Sequence, residues 1–270
     1  MQPKPDRSRM TRVSKRAALW LGASMLGTTV FPQCLQADQL IVHCPLGCPS
    51  VNTGNDLVIY HLFALSNDPN TKFADWVAYE VDVTNFGVSP GRNFGPDPML
   101  DPAKTLEPDD YKHANSDPAL HADKGHQAPL ASFAGNHYWY ETNYLSNITP
   151  QDGDLNQGPW KDLEDAVRSA VSFRQPLYVI TGTTYEGGVR GLPDADEDND
   201  VPDGYFKIVY KPSGEAAYFW MPQSADRHAN YCDFKATPAE VNAKIDFTLP
   251  GALQESDEVY NALGCPNDPT

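Results

Sequence analysis

The chain has 270 residues, 40% of them hydrophobic, and carries 20 Lys and Arg against 36 Asp and Glu, a formal net charge of −16. That length and apolar content are enough for one substantial core, and one domain is expected once the amino-terminal segment is set aside. The sign of the charge excludes a broadly basic surface of the kind that grips polyanions, so any nucleic-acid site must be a local concentration of cations.

Residues 1–37 read as an export signal. Arg7, Arg9, Arg12, Lys15 and Arg16 form a basic start, and 17–31 is an apolar stretch too short and interrupted to span a membrane. Cleavage after Ala37 leaves 38–270 as the working domain and places the protein in the periplasm or outside the cell; an uncleaved anchor is the competing reading. Removing the segment takes away six basic residues and one acid, which moves the net charge from −16 to −21. Cys44, Cys48, Cys232 and Cys265 then remain, and in an exported chain they read as disulfides. Four cysteines permit three connectivities, and sequence proximity favours Cys44 with Cys48 and Cys232 with Cys265. A zinc site at CPLGC lacks nearby histidine or cysteine partners.

Residues 57–65 (LVIYHLFAL) and 73–83 (FADWVAYEVDV) have the β-branched and aromatic content of two antiparallel strands, parted by the turn-rich SNDPNT. His61 interrupts the first and reads as a partly buried structural histidine. Residues 86–118 are dense in Pro, Gly and Asp, which describes a long ordered loop, and Arg92 lies on it. The segment 123–168 carries the chemistry. Gly125 and Pro129 bracket His126, so the histidine sits where a strand breaks. NYLSNI at 143–148 reads as a second short strand stopped by Thr149-Pro150. From Leu155 the apolar residues Trp160, Leu163, Val167, Ala170 and Val171 form a helical stripe, with Glu164 and Arg168 four apart and able to pair.

A neutral imidazole is a general base near neutral pH, with activity expected to fall as pH drops through roughly 6.5. Asparagine oxygens suit a hard, hydrated cation such as Mg²⁺ better than zinc. Together they point to phosphoryl transfer to water. Further on, 177–185, 205–210 and 216–221 read as strands, the last two joined as a hairpin, and Thr237-Pro238-Ala239-Glu240 opens a helix with a capping box. Asp194, Asp196, Asp198 and Asp200 alternate as in a Ca²⁺ loop, yet Asn199 stands where an EF-hand has glycine, and no glutamate closes the loop; a solvated acidic loop is the plainer reading.

DKGHQAP, NYLSNITPQ and DLNQGPWKDLED resemble the signature of the DNA/RNA non-specific endonuclease family, secreted nucleases with a ββα-metal (His-Me finger) core. The resemblance extends over CPLGC, TKFADWVAYEV, RNFGPDPMLDP and the last cysteine, and it favours the same two disulfides. It implies an α+β fold, a central mostly antiparallel sheet flanked by helices with the ββα-metal unit on one side. It also implies Mg²⁺-dependent hydrolysis of DNA and RNA to 5′-phosphate ends. Carried over by motif, His126 is the general base, Asn156 the Mg²⁺ ligand and Glu164 the holder of water on the ion. Arg92 and Arg168 steady the phosphate, and Asn147 fixes the geometry around His126. Where the family has Asp-Arg-Gly-His, Lys124 keeps the charge but loses the bidentate fork, so its contact with substrate is of a different kind. DNA and RNA are the expected partners, with no membrane, and some members of the family form homodimers. The acidic surface adds an expectation of salt tolerance. The competing class is an exported acidic calcium-binding or adhesion domain that kept the fold and lost the reaction.

Overall fold

The apolar run at 57–65 folds as a hairpin rather than one strand. Strand β1 (Asp56–Ile59) turns back at once into β2 (Phe63–Asn67), closed by the Tyr60 N–H donating to Phe63 O at 2.8 Å. His61 therefore lies on the turn with its side chain 56% exposed, stacked on Tyr138 and bonded through Nδ1 to Glu141 at 2.6 Å. The computed structural model describes residues 41–117, 120–187 and 191–266. The proposed export signal lies outside them.

Strand β3 (Ala74–Val81) pairs antiparallel with β2 as expected. The loop that follows contains 3₁₀ turns and, apart from the single bridge of Gly95 to Tyr144, no strand pairing among the described residues before β4 (Ala122–His126). A one-turn helix α1 (Leu130–Phe133) leads through 3₁₀ turns to β5 (Ile148–Asp152), then α2 (Gly153–Gln157) and α3 (Pro159–Ala170). The second strand of this unit thus begins where the sequence reading ended it: 3₁₀ turns hold Asn143 and Leu145–Asn147, Tyr144 between them makes the bridge to Gly95, and Pro150 lies inside the strand opposite Lys124. A two-stranded sheet is all edge, so the missing proline N–H is harmless there, and Pro150 O accepts from Tyr205 and Gln223 at 3.0 and 2.8 Å. The expected single helix is two, parted at Gly158, with Pro159 opening α3.

Strands β6 (Leu177–Thr184), β7 (Gly204–Tyr210) and β8 (Glu215–Pro222) follow, then α4 (Pro238–Asn242) with both halves of its capping box, β9 (Gln254–Glu255) and α5 (Asp257–Ala262). The main sheet has seven strands in the order β1-β2-β3-β6-β7-β8-β9, antiparallel except for the last pair. Both faces are covered, and β7 is buried along its whole length, Lys207 included. On one face Tyr79, Val179, Val209 and Phe219 pack against Trp160, Leu163 and Val167 of α3. On the other, Trp76, Ile180, Phe206 and Ile208 pack against Val241 of α4 and Phe247. Full burial of each large apolar side chain contributes about 1.5–3 kcal/mol, so the α3 stripe anchors that helix firmly. The fold is α+β, with a mostly antiparallel sheet between helices. Cys44 is bonded to Cys48 and Cys232 to Cys265, and the second bridge spans 33 residues and ties down the carboxy-terminal region.

Candidate active site

Strand β4 places the site because its glycine lets β5 come close. A Cβ on Gly125 would meet Gln151 Oε1 at 2.5 Å and its Cβ at 2.6 Å, so only glycine lets the two strands pair at this point. β4 ends at His126, half-buried and with its ring 5.6 Å from that of Phe94. Its Nε2 lies 3.0 Å from Asn143 Oδ1. An amide oxygen only accepts, so Nε2 carries the hydrogen and Nδ1 is left as the basic nitrogen. Burial, aided by the positive charge of Arg92 and opposed by the Asn143 bond, lowers the imidazole to about 4. The ring is therefore neutral well below pH 6.5, where an unperturbed histidine would be half charged.

Asn147 does not reach the cleft. Its Oδ1 accepts from the Ala128 N–H at 2.8 Å, and its Nδ2 donates to Ala128 O and Thr142 O at 3.0 and 2.8 Å. It clamps the chain just after His126, a positioning residue, while the ring itself is held by Asn143, which the sequence reading did not single out. The partner of a ring nitrogen is settled by tertiary approach, and no spacing rule reveals it.

A cleft of about 530 Å³ opens beside His126, and Arg92, Lys124, Asn156, Glu164 and Arg168 line it with the histidine. These side chains come from the long loop, from β4 and from α2 and α3. Asn156 Nδ2 donates to Asp123 Oδ2 at 2.9 Å, which turns its own oxygen away from Asp123. Gln157 Nε2 donates to the same oxygen at 2.6 Å and fixes Asp123 in turn. Lys124 lies between two aromatic rings, Nζ 5.4 Å from the Phe94 centroid and 5.2 Å from that of Tyr111, and partial burial lowers its pKa.

On α3 the expected Glu164–Arg168 pair is replaced by two others. Arg168 Nη2 pairs with Asp165, and Arg168 Nη1 is buried without a hydrogen bond. Glu164 Oε1 is buried, also without a hydrogen bond, and lies 3.6 Å from Nζ of Lys207 on β7. Lys207 is fully buried. Burial lowers its pKa to about 8 while Glu164 opposes the shift, and burial raises Glu164 against the pull of Lys207 and Arg168. Glu164 thus lines the cleft while its Oε1 faces Lys207 in the core. The donor set fits Mg²⁺: Asn156 and Glu164 offer amide and carboxylate oxygens, and the cleft lining holds a single imidazole and no thiolate, where a zinc site would need several such ligands.

The alternating aspartates of the acidic loop take separate partners. Asp194 bonds to His113 Nδ1 at 2.5 Å, Asp198 and Asp200 line a separate depression with Lys72, and Asn199 is spent on Leu192 N and Glu197 O. Of the four alternating aspartates only Asp196 joins a cluster, with Glu107, Asp110 and Glu197, whose carboxylate oxygens lie within 4.8 Å of one another. None of these lines the cleft.

The family model for DNA/RNA non-specific endonucleases matches residues 46–256. The chain is 39% identical over 246 residues to a nuclease of Serratia marcescens, covering 88% of this chain and 91% of that protein. It is 30% identical over 173 residues to human mitochondrial nuclease EXOG, covering 58% of this chain and 44% of the human protein. A crystal structure of the EndoG/EndoGI complex superposes with a TM-score of 0.66 at 20% identity, over 79% of this chain and 91% of that one, a likeness of fold. The cleft with its neutral histidine and oxygen donors lies wholly within the matched span, and the chain belongs to the DNA/RNA non-specific endonuclease family.

Proposed function

We propose that this protein is an exported, Mg²⁺-dependent endonuclease that hydrolyses DNA and RNA without regard to sequence and leaves 5′-phosphate ends. One observation carries the reading: a neutral histidine with a free Nδ1, an asparagine oxygen, a buried carboxylate and the cations Arg92, Lys124 and Arg168 converge on a single cleft.

Nδ1 of His126 takes the proton of a water attacking phosphorus, and the Asn143 bond keeps the ring from rotating and its tautomer from switching. Asn147 holds the chain at Ala128 and so fixes where β4 ends. Asn156 and Glu164 would hold Mg²⁺ and its waters, and the ion when bound supplies stabilisation of the charge on the leaving oxygen. Arg92 and Arg168 neutralise the non-bridging oxygens, and Lys124 gives a further positive charge to the backbone. Every recognition group meets phosphate rather than a base edge, which accounts for the lack of sequence preference.

Incubating plasmid and RNA with the protein, with EDTA and after restoring Mg²⁺, tests the reading. Cleavage of both substrates, abolished by chelation and recovered with Mg²⁺, is expected. Product ends should accept label from polynucleotide kinase only after phosphatase treatment. Cleavage unaffected by EDTA, or ends labelled directly, would overturn it. Export is supported by the basic and apolar start of the chain and by the two disulfides. Sequencing the amino terminus of protein recovered from the medium or periplasm is the check.

A further inference from the structure

Strand β7 alternates between the two faces of the sheet, and Lys207 shares its face with Tyr205 and Val209, in the apolar layer beneath α3. Its flanking residues on that face, Tyr205 and Val209, are aromatic and apolar, Thr181 lies opposite it on β6, and a Met or Leu would fill the position without desolvating a charge. Burying an ammonium group costs several kcal/mol unless it is well paired, and a buried ion pair is often no more stable than an apolar substitute of the same size. Stability of the core therefore does not explain the lysine. The described contacts of its Nζ are three: Glu164 Oε1 at 3.6 Å, the Trp160 ring centroid at 4.1 Å and the Tyr79 hydroxyl at 3.5 Å. The aromatic groups belong to the core, and only Glu164 reaches from there into the cleft.

Glu164 needs such a partner. Its side chain is 13% exposed, and the arginine one turn along is tied to Asp165. With Asn156 facing the same space, the position of the Glu164 carboxylate decides how a hydrated ion sits. Groups that contact a ligand-holding residue from behind commonly change metal affinity or activity by about 10- to 100-fold when removed.

We infer that Lys207 is a positioning residue for the reaction: from inside the core it fixes the Glu164 carboxylate at the wall of the cleft, in the place from which Glu164 orders a hydrated Mg²⁺ beside Asn156. The inference rests on the reading of the cleft as a Mg²⁺-dependent nuclease site.

The test uses Lys207→Met, close in length and without charge, in the wild-type chain and in a Glu164→Gln chain. Mg²⁺ binding is measured by calorimetry on metal-free protein, kcat and KM on one DNA substrate, and Tm on each variant. In the wild-type background the Mg²⁺ Kd should rise and kcat should fall, each by ~10-fold or more, with KM for DNA unchanged. In the Glu164→Gln background the same change should move neither by more than ~2-fold, because the residue it acts through is already altered. Equal losses in both backgrounds would show a merely structural lysine, and no loss in the wild-type background would remove the proposal outright. If Glu164→Gln alone binds Mg²⁺ and cleaves as the wild type does, the reading of the cleft fails and the proposal with it. A loss in Glu164→Gln beside a normal Lys207→Met removes the proposal alone. Should Lys207→Met fail to fold, Lys207→Gln, which keeps an N–H donor without the charge, is measured under the same criteria.

Discussion

His126 illustrates how burial changes what a residue type implies. Sequence alone gives its reference value and a loss of activity near pH 6.5; burial beside Arg92 moves the ring to about 4. A histidine depressed in the folded state is neutral above its folded value, so the base remains available as pH falls past 6.5 and is lost only as pH approaches 4. Titrating the ring by NMR should find it neutral at about pH 5.5, and a ring half-protonated near 6.5 would contradict the burial argument. The same depression makes the unfolded chain the better proton acceptor between those values, so acidification through that range favours unfolding. His126→Ala should leave Tm nearly unchanged and lower turnover by at least ~10²-fold; a folded variant with near wild-type rate would disprove the assignment. Asn156→Ala should raise the Mg²⁺ concentration needed for half-maximal rate by ~10-fold or more, read from a metal titration of activity, while an unchanged requirement would take Asn156 out of the site.

Local signals were legible where punctuation is chemical. Gly125 and Pro129 mark the end of β4, and the spacing of Trp160, Leu163 and Val167 marks α3. They failed where tertiary contacts decide. Tyr60 and Leu62 are buried on either side of His61, and no Gly, Pro, Asn or Asp marks the β1–β2 turn, so it reads as continuous strand. Thr149-Pro150 reads as a stop, although a two-stranded sheet tolerates proline. Lys207 in GYFKIVY looks like an ordinary outward lysine because nothing in a strand sequence says that both faces will be covered. The β4–β5 contact also yields a prediction. Gly125→Ala would push against Gln151 and should cost about 1–3 kcal/mol while displacing His126. Urea melts beside single-turnover rates should show both losses, and a variant as stable and active as the parent would mean that the strands relax freely.

The chain as a whole is acidic, yet its cleft gathers Arg92, Lys124 and Arg168, with Lys161 engaged by Asp165 at 2.6 Å. Salt weakens phosphate contacts in proportion to the number of phosphates neutralised, and few are neutralised here. It also screens the repulsion between an acidic surface and a polyanion, with a Debye length of about 10 Å at 0.1 M and about 3 Å at 1 M. The two effects oppose each other, so initial rates on one DNA substrate should pass through an optimum at a few tenths molar NaCl. A steep fall from the lowest salt onward would show that contact loss dominates. No helix among the described residues is long and apolar enough to cross a membrane.

The strand order has a bearing on how such a chain is made. Residues 92–168 hold every cleft-lining group considered above, yet β3 finds its second sheet neighbour in β6, and the face of α3 waits for Tyr205 and Val209 of β7. A nascent chain that has already emerged through Arg168 thus carries all its cleft-lining reactive groups but only the β1–β3 part of the platform that aligns them. Cleavage is therefore expected only once β6 to β8 have been made. A chain ended at Asp203 should neither melt cooperatively nor cleave RNA, and cleavage by that fragment at a measurable fraction of the full-length rate would show that the platform is dispensable.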